Sequence, residues 1–360
     1  MIETLTLTDF RNHRHCRIET HGRRNIIITG PNGAGKTAVI EAVSMLSGDR
    51  GLRGAPMTDV ARFGGSGGFS VFANLSDDTD VCVYYNNGDA NRRAKIDGDA
   101  APLSELARRL RMVWITPRED RLFVDSGADR RAFFDRLAAS FDTNHAGRVA
   151  RLNKLLSERA FVLKNGRDMR LLDVLDDQIA GIATSIACGR IQYSGQVNYF
   201  LENCMVSTTG MLETMLINEN PATVERYYAQ YLRENRELQG DKMILDGPHK
   251  SDFGMFNRAL NLPASLTSTG QQKTALLDLI LAHAKLIHAK TSHRPLILLD
   301  EAAAHLDSAA RQRLFQALGA ADAQVWATGL DANVFADVPN AAFVACDNGE
   351  INNILCPKEG

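Results

Sequence analysis

The sequence predicts an α/β protein whose core is built from both ends of the chain, with a mainly helical second lobe inserted between them. Strand-like apolar segments occupy the first third of the chain and return after Asp241. Between Pro117 and Pro221 there is no proline, and apolar residues recur at helical spacing. We therefore expect a first core segment over 1–118, a helical lobe over 119–240 and a second core segment over 241–360.

Composition narrows the class of protein without identifying it. The chain has 360 residues, enough for two lobes, with 44% hydrophobic and 23% charged residues. Its net charge of −2 means that the protein does not attract nucleic acid through its overall charge. Any surface of that kind must come from local clusters among the 41 lysines and arginines.

The cysteines and the apolar runs indicate the compartment. The six cysteines are scattered without a C-x-x-C pair, which argues against a zinc site or a disulfide scaffold and suits a reducing cytosol. The N-terminus lacks the pattern of a signal peptide, and no apolar run approaches the ~20 residues of a membrane span. We therefore expect a cytoplasmic protein without a membrane partner.

The first core segment begins with an alternating strand around Leu5 and Leu7 and continues with a phosphate-binding motif. The short apolar strand 25–29 leads into a stretch that fits G-x-x-x-x-G-K-[ST], and an apolar helix over 38–47 follows it. The glycines let successive backbone N–H groups point at a phosphate, and the helix N-terminus adds a positive dipole end. The residues of this P-loop, predicted to bind ATP, are Gly30, Pro31, Asn32, Gly33, Ala34, Gly35, Lys36 and Thr37. Lys36 should reach the β/γ-phosphates, and Thr37 should ligate Mg²⁺.

The remaining elements follow the same patterns. Segments 69–73 and 80–85 read as strands, and helical spacing continues through the middle lobe to about Leu238. In the second core segment, 271–290 predicts a buried helix, and 295–299 and 324–328 predict buried strands.

The strand 295–299 ends in two acids that complete a nucleotide site. In P-loop enzymes the first acid at such a strand end helps to hold Mg²⁺, a role that we assign to Asp300. Glu301 is then placed to accept the proton of an attacking water as the γ-phosphate leaves. The predicted catalytic residues are therefore Lys36, Asp300 and Glu301, with Thr37 and Asp300 as ligands of the metal.

The stretch 266–271 precedes these acids by about thirty residues and reads Leu-Thr-Ser-Thr-Gly-Gln. It resembles the L-S-G-G-Q signature of ABC-type ATPases, with Ser268, Gly270 and Gln271 in place and Thr269 as a departure. The same residues would also serve as an ordinary helix N-cap. A later loop ends in Asp307 and looks like the loop that carries an aspartate in these proteins. The resemblance implies that a second copy completes the ATP site, in an ATP-dependent head-to-tail homodimer.

The order and spacing of the motifs point to one branch of these ATPases. Over two hundred residues separate the P-loop from the signature-like stretch. Five segments resemble the RecF family, namely 7–13, 114–117, 129–136, 246–252 and 267–273. The resemblance covers the chain from end to end. It implies a DNA-binding ATPase of recombinational repair that works with RecO- and RecR-like partners, assists RecA loading at single-strand gaps, and supports replication restart and the SOS response.

Two departures bear on the rate of hydrolysis. No glutamine occurs before Gln178, so the usual Q-loop ligand is missing or replaced, and Thr328 stands where transporter ATPases carry a histidine. We expect a slow, switch-like ATPase that DNA stimulates.

Two questions stay open at this level. Eight arginines around the lobe junction could form a DNA groove on dimerisation, or a solvated face paired with nearby aspartates; they are Arg108, Arg109, Arg111, Arg118, Arg121, Arg130, Arg131 and Arg136. The alternative functions are the ATPase subunit of an ABC transporter, which the long insertion disfavours, and a small-molecule kinase, which the signature-like stretch disfavours.

Overall fold

The computed structural model describes residues 1–48, 51–166, 168–237, 245–291, 293–301, 303 and 306–354. The chain divides into two compact units. The first comprises Met1–Asp120 and Ala284–Gly360, and the second comprises Arg121–His283.

Strands and helices are both present along the chain, and several of each follow one another directly. The described strands are β1 (Ile2–Phe10), β2 (His13–Glu19), β3 (Asn25–Thr29), β4 (Phe69–Leu75), β5 (Asp80–Tyr85), β6 (Arg93–Ile96), β7 (Asp99–Ala101), β8 (Met112–Ile115), β9 (Cys204–Thr209), β10 (Asp252–Asn257), β11 (Leu262–Pro263), β12 (Leu296–Leu299), β13 (Gln324–Gly329), β14 (Ala341–Asp347) and β15 (Glu350–Ile354). The described α-helices are α1 (Lys36–Met45), α2 (Met57–Val60), α3 (Leu103–Arg109), α4 (Gly127–Ala139), α5 (His145–Asn165), α6 (Met169–Asn198), α7 (Met211–Met215), α8 (Pro221–Glu234), α9 (Thr269–Lys290) and α10 (Ser308–Ala320).

The first unit contains two six-stranded sheets. One is antiparallel, in the order β2-β1-β4-β5-β6-β7, and its strands β4 and β5 alternate buried and partly buried residues, as expected when one face packs on the core. The other has the order β15-β14-β3-β13-β12-β8, and all its pairings are parallel except that of the β14–β15 hairpin. The carboxyl ends of β3, β12 and β13 therefore meet at one edge.

Four parallel strands of the first unit are buried along their whole length. β3, β8, β12 and β13 are buried at every position, as expected for strands covered on both faces. Helix α1 is buried at nearly every residue and packs into the same core, which includes Trp114 and Trp326. This packing fixes the helix that follows the P-loop.

The second unit is mainly helical, with a small sheet. Helix α6 packs against both α5 and α8, and the shared core includes Leu155 of α5, Ile179 of α6 and Tyr228 of α8. Asp168 caps α6, and Asn220 caps α8 ahead of Pro221 at its first turn. Strands β9, β10 and β11 form an antiparallel sheet in the order β11-β10-β9.

The division of the chain differs from the predicted one at the second boundary. We predicted a return to the core at 241, whereas residues 245–283 belong to the second unit. Strand β10 pairs with β9 over six residues, and Arg190 donates to the carbonyl oxygen of Pro248, so these contacts hold the segment in the helical unit. The N-terminal segment of the first unit ends at Asp120, close to the predicted boundary at 118. Local composition identifies a strand, but it does not reveal that strand's partner.

Within the described ranges no helix has the length and apolar character needed to cross a membrane.

Candidate functional site

The loop between β3 and α1 adopts a backbone that glycine makes possible. Gly30, Gly33 and Gly35 have φ values of 152°, 81° and 112°. A Cβ on Gly30 would overlap the carbonyl oxygen of Cys346, and one on Gly35 would lie 2.6 Å from Asn12 Nδ2. These two glycines are therefore required both by conformation and by close packing.

The turn between β1 and β2 is hydrogen-bonded to this loop. Asn12 Nδ2 donates to the Ala34 carbonyl oxygen at 3.1 Å. The buried ring of His13 lies between two carbonyl oxygens, with Nδ1 2.7 Å from that of Gly349 and Nε2 3.1 Å from that of Gly35. These contacts fasten the loop to the β1–β2 turn and, through Gly349, to the β14–β15 hairpin.

The charged groups predicted for phosphate and metal binding lie together. Lys36 Nζ donates to the carbonyl oxygens of Gly30 and Pro31, each at 2.8 Å. The Thr37 hydroxyl donates to Asp300 Oδ1 at 3.0 Å, across 263 positions of sequence. The end of β12 thus meets the start of α1, as the parallel order of the sheet requires.

Thr328 organises the two acids from the end of β13. Its hydroxyl donates to Asp300 Oδ1 at 2.8 Å and accepts the backbone N–H of Glu301, also at 2.8 Å. Glu301 has a φ of 57°, a left-handed conformation that this contact helps to hold. Burial, together with the charge of Glu301, raises the pKa of Asp300, although the hydroxyls of Thr328 and Thr37 act in the opposite direction.

A cavity of about 610 Å³ opens beside these groups. Five residues of the predicted site line it, namely Asn32, Gly33, Gly35, Lys36 and Thr37, and Glu301 adds a carboxylate. Its volume lies within the usual range of ligand sites.

The rest of the cavity wall comes from residues that the sequence did not single out as ligands: Arg11, Asn12, Ala38, Arg53, Asp59, Ala61, Arg62 and Phe63. Arg11 makes a bidentate pair with the fully buried Glu41, at 2.6 and 2.8 Å, and donates to the Asp59 carbonyl oxygen at 2.6 Å. Its guanidinium is therefore fixed in the wall. The only sequence signal was the turn Arg11–His13 within the family-like segment 7–13, which carried no assigned role.

The signature-like residues lie in the second unit, as the exposed N-terminus of α9. Ser268 and Gln271 form a reciprocal cap, in which Ser268 N–H donates to Gln271 Oε1 at 3.0 Å and Gln271 N–H donates to Ser268 Oγ at 3.4 Å. Gly270 is exposed between them, with nothing within 4 Å of an added Cβ. The N-cap interpretation is therefore observed, and a role of these residues toward nucleotide stays a prediction.

Asp307 also acts as a helix cap in the structure. Its Oδ1 accepts the N–H of Ala310 at 2.8 Å at the start of α10. It does not line the cavity described above. The predicted nucleotide contact of Asp307 therefore stays a prediction, and residues 302, 304 and 305 of its loop lie outside the described residues.

Several arginines of the predicted basic cluster are engaged within their own unit. Arg130 makes a bidentate pair with Asp252 at 2.7 and 2.8 Å, and Arg131 donates to the Ser251 carbonyl oxygen at 2.9 Å. Arg121 pairs with Asp125 at 3.2 Å. For Arg121 and Arg130 the interpretation as arginines paired with aspartates fits better than an open groove, although Asp252 was not among the partners expected for Arg130.

Comparison with known proteins gives the family. The model of the RecF/RecN/SMC N terminal domain matches residues 1–352. The chain is 35% identical over 360 residues to the DNA replication and repair protein RecF of Rhizobium leguminosarum bv. trifolii, covering 95% of this chain and 96% of the relative. It is 36% identical to RecF of Rhizobium meliloti, covering 97% of both.

Solved structures give the fold. A structure of the recombination mediator protein RecF-ATPrS in the RecFOR pathway superposes with a TM-score of 0.84 at 21% identity, covering 99% of this chain and 98% of that one. An Smc head domain from Pyrococcus furiosus has a TM-score of 0.52 at 16% identity, covering 98% and 95%. The predicted ABC-type ATPase fold is confirmed.

Proposed function

This chain belongs to the RecF family, and we propose that it is an ATP-dependent DNA-binding protein of recombinational DNA repair. ATP would drive dimerisation on gapped or duplex DNA. The protein would then assist RecA loading with RecO- and RecR-like partners, in the cytoplasm, and support replication restart and the SOS response. The names of similar proteins, which refer to DNA replication and repair and to a RecFOR pathway, support this proposal.

One observation carries the ATPase part of the proposal. Lys36, Thr37, Asp300 and Glu301 come from two ends of the chain and meet at one edge of the parallel sheet, beside a single cavity. A phosphate-binding loop, a hydroxyl–carboxylate pair and a second carboxylate are the groups that hydrolysis of a nucleoside triphosphate requires.

The residues fit Mg²⁺, which prefers oxygen ligands and keeps several waters. The Thr37 hydroxyl and the Asp300 carboxylate would hold it, and it would neutralise charge on the phosphate oxygens. Lys36 would exchange its two loop carbonyls for phosphate oxygens. Glu301, held by the contact of its N–H with Thr328, would accept the proton of the attacking water.

The structure also bears on the expected slow turnover. Thr328 is fully buried, and its hydroxyl is already engaged by Asp300 and by the Glu301 N–H. It therefore positions the acids and does not replace a nucleotide-contacting histidine. With that contact absent, we propose a slow ATPase that works as a switch.

The dimer part of the proposal rests on the exposed start of α9. Ser268 and Gly270 present a hydroxyl and a bare backbone at a helix N-terminus, which suits a phosphate of a nucleotide bound by a second copy. Two such sites would be related by a two-fold axis.

The test measures binding to a gapped duplex by fluorescence anisotropy, and mass by light scattering, with and without ATP. The unaltered protein should dimerise and bind DNA with ATP, and Lys36→Met should do neither. Ser268→Arg should bind ATP but stay monomeric, whereas Ser157→Arg, which places the same charge on an exposed face of α5, should behave as the unaltered protein. Glu301→Gln should accumulate the dimer. DNA binding that is absent or indifferent to nucleotide would refute the proposal.

A further inference from the structure

Phe63 is the most exposed large apolar side chain among the described residues, with 99% of its surface accessible. Single exposed apolar residues are common and need no explanation by themselves. Phe63 differs from the others because it lines the cavity that contains the P-loop. An aromatic ring is thus offered to whatever occupies that cavity.

The segment that carries Phe63 is tied down on both sides. Asp9 accepts from Arg62 Nε at 2.7 Å through Oδ1 and from Ser66 Oγ at 3.0 Å through Oδ2. The backbone is fixed as well, because Arg62 N–H donates to the Asp9 carbonyl oxygen at 2.8 Å and Ala61 bridges Phe10. The exposed ring therefore stands on an anchored loop, which lowers the entropy cost of binding against it.

Phe63 is the one aromatic side chain among the described residues that line the cavity. Arg11 is held by Glu41 and the Asp59 carbonyl, and Arg62 is held by Asp9, so neither guanidinium is loose. Lys36 and Thr37 mark the phosphate end of the cavity. A nucleoside triphosphate whose phosphates lie at that end still has to place its base elsewhere along the wall.

We propose that Phe63 stacks on the nucleotide base and supplies the base-dependent part of ATP affinity. The inference rests on the proposed function, since it assumes that the P-loop binds a nucleoside triphosphate. Stacking of a base on an aromatic side chain changes affinity by roughly 5- to 150-fold. It acts on the base and leaves phosphate binding untouched.

Calorimetric titration with two probes, ATP and inorganic tripolyphosphate, both with Mg²⁺, tests this. Phe63→Leu should bind ATP at least about fivefold more weakly, with tripolyphosphate affinity unchanged, and Phe63→Tyr should retain ATP affinity. Tyr199→Leu, at another highly exposed aromatic, which lies in the second unit, is the matched control and should change neither value.

A second readout uses Phe63→Trp. The two native tryptophans, Trp114 and Trp326, are buried, so the new indole should be the one that ATP quenches and tripolyphosphate does not. Unchanged ATP affinity in Phe63→Leu, or equal loss for both probes, would overturn the stacking role while leaving the P-loop function intact. Failure of the unaltered protein to bind either probe would overturn the proposed function and this inference together.

Discussion

Replacing Thr328 with valine should destabilise the first unit and slow ATP turnover, although the side chain keeps its shape. The Thr328 hydroxyl makes two contacts of 2.8 Å, one to the buried Asp300 carboxylate and one from the Glu301 N–H. Thr328 itself is fully buried, so water does not replace the lost hydroxyl without rearrangement.

The magnitude follows from these two contacts. A hydrogen bond to a charged group contributes about 1.5–3 kcal/mol. Glu301 is partly exposed, so loss of the hydrogen bond from its N–H adds little to the destabilisation. We expect Thr328→Val to lower the free energy of unfolding of the first unit by about 2–3 kcal/mol near neutral pH. Loss of a hydrogen bond that orients a metal ligand should also reduce turnover by about 10- to 100-fold.

The cost should depend on pH with a definite sign. Burial raises the pKa of Asp300 above its ordinary value of 3.8, so ionisation of this carboxyl opposes folding. The stability that the Asp300 carboxyl contributes is present below pH 3.8 and is lost as the pH rises through its raised pKa. Because the Thr328 hydroxyl lowers that pKa, the variant should have a still higher one. The difference between variant and unaltered protein should therefore be small in acid and grow toward neutral pH.

Urea titrations at about pH 7 and about pH 4 would measure this. Both tryptophans lie in the first unit, so tryptophan emission reports its unfolding, and circular dichroism follows both units. Thr184→Val is the control, because Thr184 is buried and its hydroxyl has no hydrogen-bond partner among the described residues. It should be neutral or slightly stabilising. Equal stability of Thr328→Val at neutral pH, or a cost that does not change with pH, would refute the reasoning.

Two further substitutions test the packing around and away from the site. Gly30→Ala should destabilise the first unit by about 3 kcal/mol or more, because the new methyl group overlaps the Cys346 carbonyl. Gly33→Ala meets open space and should cost only about 1–2 kcal/mol of backbone strain. Thermal unfolding followed by tryptophan emission compares the two variants, and equal losses of stability would contradict the overlap. Asp135→Asn should destabilise the second unit by about 3–5 kcal/mol, because it leaves Arg190 buried without its bidentate partner. Burial opposes ionisation of Asp135, but hydrogen bonds from His145 and Arg190 outweigh it and lower the pKa. The stability that Asp135 contributes should thus be present above pH 3.8 and lost as the pH falls through its lowered pKa. Urea titrations followed by circular dichroism at decreasing pH would measure this loss, and its absence would contradict the account.

The part of the site made by contiguous backbone was predictable from the sequence. The P-loop residues Gly30–Thr37 follow one another, and their glycines report the conformation directly. The strand that ends in Asp300 and Glu301 was predictable because β12 is apolar along its whole length and then turns acidic. Parallel pairing then brings the two motifs to one edge.

The residues that wall the cavity were not predictable in the same way. Arg11, Arg62 and Phe63 reach the P-loop because Phe10 bridges Ala61 and because Asp9 binds Arg62. No local sequence pattern predicts such contacts, because an arginine or phenylalanine in a loop looks the same in the sequence whether or not it faces a ligand. The sequence likewise suggested a DNA groove or paired acids for Arg130, and only the fold identified Asp252 as its partner.

The sequence by itself therefore determined the fold class, the family-like motif order and the residues of the P-loop, because these depend on neighbours along the chain. The tertiary structure decided that residues 245–283 belong to the helical unit, that Thr328 binds both acids, that Asp307 caps a helix and that Phe63 lines the cavity beside the P-loop. Each of these depends on pairing between strands or side chains far apart in sequence. Such pairing is selected by the packing of the whole unit and leaves no periodic trace in the chain.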